Sequence, residues 1–269
     1  SDLKFRWACE LARNGRLGKM KEIQVAVPGG ITAPDFPTQP VPDTINWDRW
    51  VGPAALTDYN VEKTKRHFHE NISNFSLGML SCWGIHHLDI AQWGNGTDDT
   101  GPISVSYEAA EWPLKGGCDN VLGWRMRFEY AQAAPITFVN EKRDDIAHGI
   151  RFIGEKGWVH VKRGTIETSD PAILRDPANK DGTMPIKLPV SIEHTANFIE
   201  AVRASGSKAI CDIETAVRSD TLCQLAAIAV KAKRPLKWDP AAETITNDAD
   251  AAKMLEARPF RGDWKLPEI

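Results

Sequence analysis
Hydrophobic and polar positions change period along the chain, and each change marks a different kind of element. Phe5, Ala8, Leu11 and Ala12 recur at steps of three and four, which predicts an amphipathic helix ended by Gly15 and Gly18. Glu22 to Val27, EIQVAV, reads as a strand stopped by Pro28, Gly29 and Gly30. The Pro-rich run from there to about Asn60 has too little periodicity for either element and is predicted as an ordered loop. From Ile103 the period becomes two. ISVSYE alternates, and Trp124, Met126, Phe128 and Tyr130 share one face of a strand whose other face carries Arg125, Arg127 and Glu129. PITFVN, HGIRFIG and WVHVKRG add further strands, with Gly154–Gly157 as a compact hairpin connection.

The last third returns to a helical period. Ile192, Ala196, Ile199 and Val202 line one face of a helix that Ser191 caps and Gly206 ends. A longer helix, from about Ile213 to Lys233, points Val217, Leu222, Leu225, Ile228 and Ala229 inward and stops before Pro235. Strands joined by short turns and followed by helices predict an α+β fold: a mixed, largely antiparallel β-sheet with helices packed on one face. The Trp124 set must then be covered by those helices or by another subunit. If the helices take the other side, this face is an oligomer interface, which predicts a homodimer or higher homo-oligomer.

Composition narrows the class. Hydrophobic residues make up 42% and charged residues 26% of the 269, as in an ordinary globular protein, and the net charge of -3 mixes both signs. With no basic block, no nucleic acid partner is expected; with no long apolar run, no membrane span is expected. The five cysteines are odd in number and contain no C-x-x-C pair, so reduced thiols in a cytoplasmic compartment are the default reading. An export signal ahead of Ser1 would be invisible. Most of the ten tryptophans read as packing residues, although flat aromatic faces also suit carbohydrate.

Candidate chemistry concentrates in LGMLSCWGIHHLDIAQWG, Leu77 to Gly94. Taken as one helix from Met79 to Trp93, the segment places Cys82, His86 and Asp89 above one another, because their spacings are four and three. His87 points elsewhere. Three readings of the stripe stay open. It is a buried polar network, or a zinc site in the manner of a hydrolase, or an acid–base pair in which Asp89 orients His86.

The same run, with WDRWVGP, FRWACELARNGRLGK, RFIGEKGWVHVKRGTIE, HTANFIEAV and RPFRGDWKL, resembles the Gfo/Idh/MocA family of sugar and inositol oxidoreductases over nearly the whole chain. The resemblance implies a two-domain enzyme: an N-terminal Rossmann domain holds NAD or NADP, and a C-terminal α+β domain binds substrate and forms oligomers. Only the second half is matched. Residues 1–20 resemble the linking helix, and residues 21–269 resemble the substrate-binding and oligomerisation domain of a member whose first domain is missing. The sequence holds no G-x-G-x-x-G turn, so no cofactor-binding residue is assigned in this chain and none is expected to be bound by it alone.

Within that resemblance the catalytic set is His86, Asp89 and Cys82. His86 falls on the family's histidine, which takes the hydroxyl proton, and Cys82 stands where relatives carry an aspartate. Either Asp89 takes over the orienting role, or Cys82 acts as a thiolate, or the chemistry departs from simple dehydrogenation. His87, Trp83 and His67 are the substrate-binding candidates, and no metal ligand is assigned. The substrate implied is a small sugar, sugar derivative or cyclitol oxidised at a CH–OH group. The alternatives are a non-catalytic carbohydrate-binding or scaffold protein and, more remotely, a zinc hydrolase.

Overall fold
The computed structural model describes residues 2–141, 143–175, 186–204, 206–256 and 258–265. The alternating segments form β1 (Met20–Val27), β2 (Ser104–Glu111), β3 (Gly123–Glu129), β4 (Ile136–Asn140), β5 (Gly149–Gly154) and β6 (Gly157–Lys162). Three shorter strands follow: β7 (Thr165–Thr168), β8 (Leu236–Asp239) and β9 (Thr244–Ile245). Among the described residues they join in the order β7-β6-β5-β1-β4-β3-β2-β8-β9. β1 pairs parallel with β4, and the other neighbours pair antiparallel. The fold is the expected α+β arrangement.

Three helices lie over one face of this sheet: α1 (Leu3–Arg13), α5 (Gly84–Asn95) and α8 (Ile213–Ala232). α1 begins where the Asp2 side chain accepts a hydrogen bond from the Lys4 amide, and α8 begins with Asp212 doing the same for Thr215. Register aligns apolar side chains into rows beneath them. Val161, Ile150, Val25, Phe138 and Met126 meet across five strands, and beside them Val159, Phe152, Ile23, Ile136 and Phe128 do the same. All ten are fully buried. Each contributes roughly 1.5–3 kcal/mol by leaving water.

This arrangement corrects the reasoning behind the oligomer face. Trp124, Met126 and Phe128 are buried within the chain, under its own helices, and belong to the same face as the rest of the core. The opposite face is largely polar, apart from a small buried cluster of Ala26, Val139 and Ile146. There Arg127 pairs with Glu22 and Glu129 at 3.2 and 2.6 Å, and Arg125 pairs with Glu108 and Asp144.

Other expectations shift locally. The proline-rich loop contains α2 (Trp47–Val51), started by Asn46, whose side chain accepts from the Arg49 amide. Trp47 and Trp50 stack at 4.5 Å beside Tyr59, forming a satellite core. Short turns α3 (Arg66–His69), α4 (Met79–Cys82), α6 (Ala172–Arg175) and α9 (Ala249–Lys253) punctuate the connections. The second C-terminal helix ends as expected, but Val217 stays 43% exposed. The helix before it, α7 (His194–Arg203), starts at Glu193 without a side-chain cap, so Ser191 does not cap it. Its apolar stripe faces solvent, with Phe198 62% and Ile192, just ahead of it, 93% exposed. Among the described residues no helix is long and apolar enough to cross a membrane.

α5 approaches the sheet most closely at its glycines. A Cβ at Gly84 would lie 3.0 Å from the Phe138 ring, and one at Gly94 would enter the ring of Phe152, itself fully buried. Gly94→Ala therefore overpacks the core and should destabilise the fold by about 1–3 kcal/mol, read as a lowered urea midpoint with an unchanged slope.

Candidate functional site
The Leu77–Gly94 segment is two helices rather than one. Gly78, at φ 68°, turns the chain into α4, and Trp83, at φ -109° and ψ -33°, interrupts the regular hydrogen bonding before α5 begins at Gly84. Trp83 N–H reaches Met79 O only at 3.3 Å, and His86 N–H bonds back three residues to Trp83 O. The stripe drawn for a continuous helix is therefore broken between Cys82 and His86. Cys82 sits half-buried with its Sγ 3.3 Å from Ser76 Oγ. It does not line the cleft that His86 and Asp89 share.

That cleft, about 630 Å³, lies over the start of α5 and is walled by His86, His87, Asp89, Arg163, His194 and Ser219, among others. His86 is exposed at its rim. Asp89 accepts a 2.7 Å hydrogen bond from Ser219 Oγ on α8. Burial raises the Asp89 pKa, while the Ser219 bond and His86 draw it back. For His86, burial and then the Arg163 guanidinium lower the pKa, with Asp89 opposing them. Burial and Arg163 thus hold the His86 ring towards its neutral form, while Asp89, hydrogen-bonded to Ser219, shares the cleft and acts on the ring through its charge rather than through a hydrogen bond.

His87 behaves differently, as its place on the helix requires. It is 1% exposed, its Nδ1 lies 3.4 Å from Ala26 O, and its Nε2 has no partner. With Nδ1–H donating to the carbonyl, Nε2 presents a lone pair. Burial first, and then His148, push its pKa down to about 3. His148 packs 4.9 Å from His87 and 5.4 Å from Trp83, with its Nδ1 3.3 Å from Glu141 Oε2. Arg163 lies over the Trp83 ring at 4.9 Å. Trp83 thus backs the cleft, whereas His67 is exposed on α3 against Phe68 and outside the cleft lining.

A second cavity, about 370 Å³, adjoins the first through the shared walls Asp89, His194, Cys211 and Ser219. A larger open groove of about 870 Å³ runs along α8 beside Ser73, Lys231 and Arg258, but it holds no histidine or cysteine. The histidine-lined cleft at His86 is therefore the candidate site. Arg163, His194, Cys211 and Ser219 were not singled out from sequence. None of them had a local signal: Ser219 lies among Thr215, Arg218 and Asp220 in the polar first half of α8. Among the described residues no group of three or more His, Cys, Asp or Glu side chains is arranged to hold a metal, so the zinc-hydrolase reading loses its ligand set.

Comparison with known proteins gives concordant results. Residues 30–266 match the family model described as the oxidoreductase family, C-terminal alpha/beta domain. No curated protein matches the chain. Among solved structures it resembles the WlbA dehydrogenase from Bordetella pertussis, in complex with NADH and UDP-GlcNAcA, at 14% identity and a TM-score of 0.55, covering 88% of this chain and 61% of that one. GenD2 from gentamicin A biosynthesis, in complex with NAD, gives 16% identity and a TM-score of 0.50, over 88% and 61%. An NAD-binding protein from Listeria innocua gives 15% and 0.50, over 87% and 65%. The chain thus spans less than two thirds of the length of these structures, and at such identities the likeness is one of fold.

The buried His87 makes stability depend on pH. In the unfolded chain it titrates near 6.5 and in the folded chain near 3, so the unfolded state binds the extra proton between those values. Stability is complete above 6.5 and falls as pH drops towards 3. Urea unfolding at pH 7 and pH 5 should show the native protein losing about 2 kcal/mol more than His87→Gln.

Proposed function
The chain belongs to the Gfo/Idh/MocA oxidoreductases, as a C-terminal alpha/beta domain, and we propose that it is the substrate-binding and oligomerisation domain of an enzyme oxidising a CH–OH group of a sugar, sugar derivative or cyclitol. The observation that carries this is the geometry at His86: a rim-exposed, neutral imidazole beside a carboxylate held by Ser219, opening on a cleft. In this reading the substrate O–H bond breaks as its proton passes to a His86 ring nitrogen, and Asp89 stabilises the imidazolium that results. Burial first, and then Arg163, favour the uncharged resting ring. The lone pair on His87 Nε2 takes a hydrogen bond from a second hydroxyl, and Trp83 supports the wall. The role that Cys82 vacates as a carboxylate position passes to Asp89.

NAD or NADP would supply the hydride acceptor for this chemistry. The glycine pairs of this chain do not fit a pyrophosphate. Gly29 and Gly30 pack on the carbonyls of Leu122 and Val121, and Gly116 and Gly117 pack on Ala33 and Phe36, which leaves no space for phosphate oxygens. We therefore assign the nucleotide to a portion of the enzyme outside this sequence and derive no step through it. The domain alone is then inactive.

A non-catalytic, carbohydrate-binding reading draws support from one observation, Cys82 at the position where the family resemblance places an aspartate. Activity separates the two. In an enzyme carrying this domain with a nucleotide-binding domain, His86→Ala should lower kcat for sugar- or cyclitol-dependent NAD(P)H formation by about 10²–10⁴ with KM little changed. Undiminished turnover would remove His86 from the mechanism. The oligomer proposed with it uses the polar sheet face, where Arg125 and Arg127, already paired with carboxylates of their own chain, present charges of both signs to a second copy. Light scattering should then give at least the dimer mass, decreasing with added salt, and a monomer at low salt would contradict it.

A further inference from the structure
The smaller cavity beside His86 contains unmet hydrogen-bonding capacity that the chemistry at His86 does not use. Gln92, on α5, is 1% exposed. Its Oε1 accepts from Tyr130 OH at 2.9 Å and lies 3.4 Å from Thr97 Oγ1, which fixes the amide so that Nε2 points away from both. That Nε2 is buried without a partner. Asp98 lines the same cavity, and its Oδ1 is likewise buried without a partner. Arg13 lines it as well, its Nη1 lying 3.4 Å from Trp93 O. The rest of the wall sets the apolar Trp93, Ile186, Leu188 and Ile210 beside the polar Lys187 and Thr215.

An interior donor and an interior acceptor left open in one cavity are unfavourable in the free protein and favourable to whatever fills it. The pair is specific about what that is. Gln92 Nε2 only donates, and an ionised Asp98 only accepts. Burial pushes Asp98 up to about 6 while Arg13 pulls it back, so near neutral pH it is mostly ionised. A hydroxyl both donates and accepts, and neighbouring hydroxyls on a ring present these functions a short distance apart. Apolar walls suit the C–H edges of the same ring. A bare anion would meet Asp98 and Asp89, and a bare cation would meet Arg13.

We propose that this cavity is a second subsite, which anchors a hydroxyl-bearing ring of the ligand between Gln92, Asp98 and Arg13 while the reacting part lies at His86. The inference rests on the reading of the cleft as one for polyhydroxylated rings. It places the residues that select the ligand on the inner side of Asp89, one chamber away from the proton acceptor. Asp89 and Ser219 form the partition between the two.

Calorimetry with the 269-residue chain, using myo-inositol and D-glucose as probes, tests this. Asp98→Ala should weaken binding of at least one probe about tenfold, the effect of one charge-assisted hydrogen bond. Burial disfavours the Asp98 carboxylate and Arg13 favours it, so Asp98→Ala should leave the Tm near that of the native chain, which separates lost binding from lost folding. Gln92→Leu provides a second reading of the same anchor and should weaken binding of the same probe. Equal affinity of native and Asp98→Ala chains overturns the subsite, as does failure of both probes to bind the native chain. Loss of binding in His86→Ala alone would confine the ligand to the outer chamber. None of these outcomes depends on the kcat effect of His86→Ala, so the two proposals fail separately.

Discussion
The close approach of α5 to the sheet governs the rest of the molecule. Gly84 and Gly94 let the helix backbone lie against the rings of Phe138 and Phe152, closer than any side chain would allow. At that distance the rotation of the helix is fixed. One residue of the HH pair must enter the interior and the next must leave it, and the break at Trp83 decides which. His87 is driven inward, where burial holds it neutral, and His86 is turned out to the cleft. Two chemically identical rings, adjacent in sequence, thereby differ in exposure, and burial lowers the pKa of both, that of His87 to about 3.

Desolvation is the first cause of every pKa displacement around the site, for His86, His87, His148, Asp89 and Asp98 alike. Ion pairing modulates it but does not dominate. The site is therefore tuned towards uncharged imidazoles and reluctant carboxylates. That tuning suits a proton acceptor that must be neutral before it works. The counter-charges are placed so that the balance differs residue by residue: Arg163 over Trp83 on one side, and Arg13 beside Asp98 on the other.

Much of this was legible in the chain because it depends on local periodicity. The strand from Gly123 to Glu129 alternates so cleanly that its buried and wet faces could be assigned without a partner, and α1 and α8 declare themselves by spacing and by their ends. What escaped depends on distance in sequence. The break at Trp83 had one local signal, Gly84 next to it, which the spacing of Cys82, His86 and Asp89 overrode. Which side of the Trp124 strand the helices would take was also undecidable from one strand. β8, only four residues long, is recognisable only by its pairing with β2. At the site, His86 and Asp89 were accessible through their three-residue spacing, but Ser219, Arg163 and His194 arrive from distant segments. Asp98 and Gln92 looked like ordinary polar residues until the cavity around them was seen.

The parallel pairing of β1 with β4 has a consequence for biogenesis. β1 lies between β4 and β5, and both neighbours are encoded more than a hundred residues downstream of it. During synthesis the apolar strand that will become the middle of the sheet leaves the ribosome without either partner and must stay unpaired until most of the polypeptide has emerged. Pairing on both sides of β1 therefore waits until β5, at Gly149–Gly154, has emerged, which makes closure around β1 a slow step of assembly.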